Sequence, residues 1–190
     1  MRCTREESRA ITRERLLASA TLLFGRDGYA ATSVERIAEA AGYSKGAVYS
    51  NFPSKEAIFL AVLDRQGQDS LDRVIAAIEA AADEGAVRDA LVAWADDRSD
   101  SGIWSLTILE HARLAGPEAC SLKRQREILE GHWLQLGERV RQRIPRITAE
   151  PLTLGALLHE IAYAPAMTFV ERPTAGALMR LMLEAWIAQR

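Results

Sequence analysis

The sequence predicts an all-α protein, and three observations predict it. Apolar residues recur at three- and four-residue spacing along most of the chain, and the alternating apolar–polar runs that mark strands are missing. The breaks between periodic stretches carry helix-stopping and helix-starting residues: Asp27-Gly28, Gly42, Pro53-Ser54, Gly116-Pro117, Ile144-Pro145 and Arg172-Pro173. The final two periodic stretches are apolar on nearly every face, as buried helices are.

The elements follow in order. Leu16, Ala20, Leu23 and Phe24 share one face of a first helix over residues 5–26, which Asp27-Gly28 ends. A second helix starts at Thr32-Ser33-Val34-Glu35. That is the pattern of a capping box, with the Thr32 hydroxyl accepting from the Glu35 amide. It stops at Gly42, a suitable residue for a left-handed cap. A third helix runs from Ser44 to about Asn51, and Ser54 caps a long fourth helix reaching about Ile78. Further helices are expected over 86–97, 101–114, 118–143, 151–171 and 175–189, with a kink at Pro165. No repeat, low-complexity tract or long linker is visible. The fourth helix is therefore expected to join a head domain, residues 1–55, to a body domain, residues 56–190.

Composition excludes several classes. The charged start lacks the apolar core of a secretory signal, and no uncharged apolar run reaches the ~18 residues of a membrane span. Cys3 and Cys120 are too few for a disulfide framework, so a reduced, cytoplasmic chain is expected. There is no Gly-rich phosphate loop, no G-x-S-x-G and no H-E-x-x-H. His111, His132 and His159 have no metal-site spacing, so no enzyme, cofactor or metal is expected. The net charge of −2 is uninformative, but its distribution is not. Residues 1–55 hold 9 Lys/Arg against 6 Asp/Glu, and the remainder holds 15 against 20. A basic head on an acidic body suits a chain that offers one end to a polyanion.

Two short helices meeting at a Gly-containing turn make a helix-turn-helix. Val34, Ile37, Ala38 and Ala41 form the apolar face of the first, and Val48 of the second turns back onto it. Ser44, Lys45, Gly46, Ala47 and Tyr49 then face outward. They are mostly small, which lets the helix sit deep in a major groove. Arg5, Arg9 and Arg13 recur every four residues on one helix face. That stripe either follows a phosphate backbone or is a solvated face paired with Glu6 and Glu14.

The run TSVERIAEAAGYSKGAVYSNFPSK, with Leu16-Leu17, Ala20, Leu23-Phe24 and Gly28-Tyr29 before it, resembles the DNA-binding domain of the TetR family of bacterial regulators. The resemblance covers about residues 9–64. It implies a three-helix DNA-binding domain followed by a helical ligand-binding and dimerisation domain. It also implies that Ser33, Ser44 and Tyr49 contact phosphates, that Lys45, Gly46 and Ala47 face base edges, and that Lys55 binds a phosphate. Asn51 departs from the family, which often has His there; it is expected to keep a phosphate contact. The implied partners are a double-stranded DNA operator, a second copy of the chain and a small-molecule effector, with repression the leading mode. An activator and a ligand-free DNA-binding dimer fit the same features.

The body supplies two candidate surfaces. A chain this small cannot surround two all-round apolar helices, so a homodimeric four-helix bundle is expected. Leu157, Ile161, Phe169, Leu178, Leu181, Met182 and Trp186 are either core or interface. Trp104, Thr107, Ile108 and His111 share one helix face, while Trp94, Trp133, His159 and Tyr163 lie on neighbouring helices. Such residues are core or the wall of a mostly apolar pocket; the resemblance favours the pocket.

Overall fold

The computed structural model describes residues 4–97, 102–168 and 170–188. Among them the chain forms nine helices and no strand: α1 (Arg5–Ala31), α2 (Val34–Ala41), α3 (Lys45–Asn51), α4 (Lys55–Ala80), α5 (Glu84–Asp97), α6 (Gly102–Ala115), α7 (Cys120–Arg143), α8 (Pro151–Thr168) and α9 (Ala175–Ala188). They gather into two compact units. The first holds the chain up to Arg65 together with Leu106–Gln125; the second holds Gln66–Ser105 and the chain from Arg126 onward. The first unit thus includes a stretch of α6 and α7 far downstream in the sequence.

In the first unit, α1 opens with a capping box between Thr4 and Glu7. Leu16, Ala20, Leu23 and Phe24 form its buried stripe. The helix breaks at Gly28, whose φ of 81° and ψ of 177° no side chain tolerates easily. A further helical turn, Tyr29 to Ala31, follows the break, so the element extends beyond the expected stop. The cap of α2 also differs from expectation by one residue. Ser33 is the N-cap, accepting from the Arg36 amide at 3.2 Å. Thr32 is fully buried and donates its hydroxyl to the Gly28 carbonyl at 2.8 Å. The turn between α2 and α3 uses left-handed Gly42, and the Tyr43 amide donates back to the Ala38 carbonyl at 2.9 Å. Ile37, Val48, Ile58 and Val62 close the core beside an aromatic trio. In that trio Phe59 meets the rings of Phe24 and Tyr29 edge-on, at 5.5 and 5.1 Å.

The second unit packs around α5, α8 and α9. Val87, Leu91, Val92 and Ala95, Leu154, Leu158 and Ala162, and Ala175, Met179 and Leu183 are the members of its core cluster from these helices. Leu71, Val74 and Ile78 of α4, Leu136 and Val140 of α7, and Ile144 and Ile147 after it complete the cluster. Two glycines set how closely α7 and α8 cross. A Cβ on Gly155 would run into the Trp133 carbonyl, and one on Gly137 into the Pro151 carbonyl. The backbones touch there, which only residues without a side chain permit. Asp96 caps the start of α9 by accepting from the Gly176 amide at 2.7 Å. Helix α8 continues through buried Pro165 and ends at Thr168, shorter than expected.

The interface candidates fall outside the buried set. Leu181 is 68% exposed and Leu157 37%, while Ile161, Leu178, Met182 and Trp186 are half-buried. Phe169 lies outside the described residues. The stripe buried in the protomer is instead Leu154, Leu158, Met179 and Leu183.

Candidate nucleic-acid interface

The outward face of α3 follows from its caps. Ser44 accepts from the Ala47 amide at 3.2 Å, and buried Val48 pins the helix to α2. Lys45, Gly46 and half-exposed Tyr49 are left facing solvent, with Ala47 at the edge. Lys45 forms an ion pair with Glu35 of α2 and lies 5.8 Å from the Tyr49 ring centroid. The hydrogen bond with Lys45 holds the Glu35 carboxyl at about 2, and the same bond raises the lysine. The ammonium is therefore charged at any neutral pH. Ser33 and Ser44 accept backbone hydrogen bonds as caps; the Ser33 hydroxyl also donates to the Glu35 carboxylate, while that of Ser44 keeps its proton to donate to an anion.

Four expected contacts, those of Asn51, Lys55, Arg9 and Arg13, have other partners in the structure. The Asn51 side-chain amide donates to the Ala47 carbonyl at 2.8 Å and is half-buried, so it is turned onto its own helix rather than out to a phosphate. The Lys55 ammonium lies 4.2 Å over the Tyr29 ring and 3.5 Å from the Ala30 carbonyl, and burial lowers its pKa. Arg9 donates to the Ser50 carbonyl at 3.2 Å, and Arg13 to the Asn51 carbonyl at 3.4 Å, with its guanidinium 4.2 Å over the Phe52 ring. Arg5 is exposed. Glu14 pairs with Arg65 at 2.5 Å, not with the stripe.

The eight pocket candidates divide between the units. Thr107, Ile108 and His111 belong to the first, and Trp94, Trp104, Trp133, His159 and Tyr163 to the second. Thr107 is buried and donates to the Phe24 carbonyl at 3.1 Å. His111 is also buried. Its Nδ1 is 2.7 Å from Gln125 Oε1, and its ring lies 4.5 Å from Phe59 and 4.9 Å from Tyr29. Both side chains therefore belong to the packing of the α1 break rather than to an open pocket wall. Between them, Glu110 accepts from the Tyr29 and Ala30 amides at 2.8 and 3.1 Å. Those amides start the turn after Gly28, where helical partners are missing. Sequence reasoning missed Glu110. Its only signal was its place three residues after Thr107, on the same side of the helix.

In the second unit, Trp94 Nε1 donates to Ser70 Oγ at 3.1 Å. Trp133, His159 and Tyr163 come together. The His159 ring stacks on Tyr163 at 4.4 Å and lies 5.5 Å from Trp133. Trp133 Nε1 is buried without a hydrogen-bond partner, which is uncommon, whereas His159 Nδ1 lies 3.5 Å from a Glu160 carboxylate oxygen. Among the described residues no cluster of three His, Cys, Asp or Glu could hold a metal ion, and no helix is long and apolar enough to cross a membrane.

Comparison with known proteins follows the same geometry. Residues 16–62, from α1 through the first third of α4, match the pattern described as bacterial regulatory proteins of the tetR family. The chain is 32% identical to an HTH-type transcriptional repressor of Mycobacterium tuberculosis, Rv1474c, over 57% of this chain and 53% of that one. It spans about half the length of that relative and about a fifth of two Bacillus subtilis relatives. The fold is similar to a structure described as a tetR-family transcriptional regulator of Mesorhizobium loti, with a TM-score of 0.74 and 22% identity over 97% of this chain and 98% of that one. It is similar also to the regulator FadR of Bacillus subtilis in complex with stearoyl-CoA, with a TM-score of 0.67 and 18% identity over 92% and 97%. Residues 16–62, with these caps and this outward face, form a helix-turn-helix of the kind found in bacterial regulatory proteins of the tetR family, and the rest of the chain shares the fold of such regulators.

Proposed function

We propose that the chain is a DNA-binding transcriptional regulator. In this reading it is a homodimeric repressor that holds a palindromic operator and is released by a small, mostly apolar effector. The observation that carries the reading is the outward face of α3: a permanently charged Lys45, Gly46 and half-exposed Tyr49, over a buried Val48 that fixes the helix on α2. Lysine can read guanine O6 and N7, and the absent side chain of Gly46 lets the backbone approach a groove. Ser33, Ser44, Tyr49 and Lys55 surround that face with donors for phosphates, which position the head without reading sequence.

The dimer is supported by the exposed apolar residues of α8 and α9, led by Leu181. Two heads related by a twofold axis read half-sites about one helical turn, ~34 Å, or somewhat more apart. An effector is supported by the Trp133–His159–Tyr163 cluster with the unpartnered Trp133 Nε1, and by the stearoyl-CoA held by a neighbour of the same fold. An effector releases DNA only by as much as it prefers the non-binding state, typically ~1–3 kcal/mol. The operator must then weaken effector binding by the same factor.

The test is selection of duplexes from a randomised pool by the full chain, followed by titration. Lys55→Ala should weaken every duplex alike. Lys45→Ala should relax preference at one position by about 1–3 kcal/mol. A wild-type chain that enriches no sequence overturns the reading.

A further inference from the structure

We propose that Arg9 and Arg13 are positioning residues that clamp the C-terminal end of the recognition helix and so set base preference. In this division Arg5 is the phosphate-facing member of the same stripe. The proposal rests on the DNA-binding reading above.

The clamp answers a weakness in α3. At seven residues it is under two turns long and has no stability of its own. Its final carbonyls have no partners within the helix, and its partial negative end favours cations. Arg9 and Arg13, four residues apart on one face of α1, supply two guanidinium donors to two successive carbonyls, those of Ser50 and Asn51. Arg13 also lies with its guanidinium 4.2 Å over the ring of Phe52, the C-cap of α3, which is 2% exposed. Phe52 is thus held from below by the core and from above by a cation. At the other end, Lys45 is tied to Glu35 of α2. The short helix is fixed at both ends to longer ones, and its tilt determines which base edges Lys45 and Gly46 meet. Guanidinium geometry matters here. A lysine keeps the charge but cannot stack a planar face on Phe52 while reaching a carbonyl.

This assignment departs from a phosphate role in a way that binding can read. A clamp acts only on recognition of sequence, whereas a phosphate contact acts on every duplex. The experiment uses the full chain and three probes: the best duplex that wild type selects from a randomised pool, mixed-sequence duplex, and amide exchange of α3 without DNA. The Arg9→Lys/Arg13→Lys pair should bind the selected duplex about tenfold more weakly, the loss expected for two exposed hydrogen bonds and a stacked cation. Mixed-sequence duplex should be bound as by wild type, and the amides from Val48 to Phe52 should exchange faster. The Arg9→Gln/Arg13→Gln pair should lose at least as much preference. Arg5→Gln should weaken both duplexes alike and reduce the salt slope by about one. Full rescue by the two lysines, or unchanged exchange of α3, overturns the clamp. A wild-type chain that selects no duplex overturns the DNA-binding reading and the role with it. The exchange measurement, made without DNA, separates that case from failure of the clamp alone.

Discussion

Helices α3 and α9 are both short, each buries one stripe, and they leave opposite chemistry outside. α3 buries Val48 and exposes Lys45, Gly46 and Tyr49. α9 buries Met179 and Leu183 and exposes Leu181, with Leu178, Met182 and Trp186 at its margins. The buried stripes are alike; the exposed ones specify the partners. A charged face with small side chains suits a hydrated, grooved polyanion. An apolar face of this kind suits a second apolar surface. The difference teaches that function in this chain is written on what each helix leaves uncovered.

The largest effect should come from breaking the frame that presents the apolar face. Gly155→Ala forces a methyl into the Trp133 carbonyl. Because the obstacle is backbone, α7 and α8 must separate, at a cost of about 3 kcal/mol or more. Thermal unfolding followed by circular dichroism should show it. A melting temperature like that of wild type would mean the crossing is looser than described.

A more selective change is Leu181→Glu. Leu181 is 68% exposed in the protomer, so the substitution should alter protomer stability by no more than ~0.5 kcal/mol. In a dimer it places a carboxylate in an apolar layer, which is strongly unfavourable. Light scattering should fall from twice the 21.0 kDa chain mass to the chain mass itself. Should the variant keep the dimer mass, the α9 face is not the interface.

In the first unit the corresponding break is at Glu110. Glu110→Ala leaves the partly buried amide of Tyr29, and that of Ala30, without an acceptor. The expected loss is about 1–3 kcal/mol. Amide exchange at these two residues should accelerate more than exchange elsewhere in α1. Equal exchange in both proteins would show that water replaces the carboxylate at no cost.

What the sequence made legible follows the range of each interaction. The caps at Ser33 and Ser44 and the left-handed Gly42 act within three or four residues. The helix-turn-helix could therefore be read nearly to the residue, with Thr32 and Ser33 exchanging the cap role. The all-round apolarity of α8 and α9 showed that these helices need two partners. It did not show which stripe faces which: Met179 and Leu183 are core, whereas Leu178, Leu181 and Met182 are not. Periodicity groups Thr107 and His111 on one face but is silent on what that face meets. It meets α1 around the Gly28 break, where Thr107 bonds Phe24, 83 positions away in the chain. The inward turn of Asn51 and the carbonyls under Arg9 and Arg13 escaped for the same reason. The residue types are right for phosphate, and only the packing shows that nearer acceptors hold them.

The smallest expected effect is a dependence of stability on pH that belongs to His111. The imidazole is fully buried between Phe59 and Tyr29, and its Nε2 has no partner. Burial pushes its pKa below the ordinary value of 6.5. Gln125 and the Glu56 carboxylate oppose that shift, and the Lys55 ammonium reinforces it. With the folded pKa the lower of the two, the unfolded chain takes up the proton first as pH falls. Stability is then fully present above pH 6.5 and declines as pH drops below it, toward the folded value. Asp27 and Glu35, both held at about 2, stay charged throughout that window and add no slope of their own. Denaturation midpoints measured from about pH 7.5 to pH 5.5 should therefore fall for wild type and fall less for His111→Gln, which keeps a polar partner for Gln125. The same decline in both proteins would place the titrating group elsewhere, His132 and His159 being the remaining histidines. A flattened profile would tie the acid sensitivity to the aromatic packing of Phe59 and Tyr29, the ring over which the Lys55 ammonium lies at 4.2 Å.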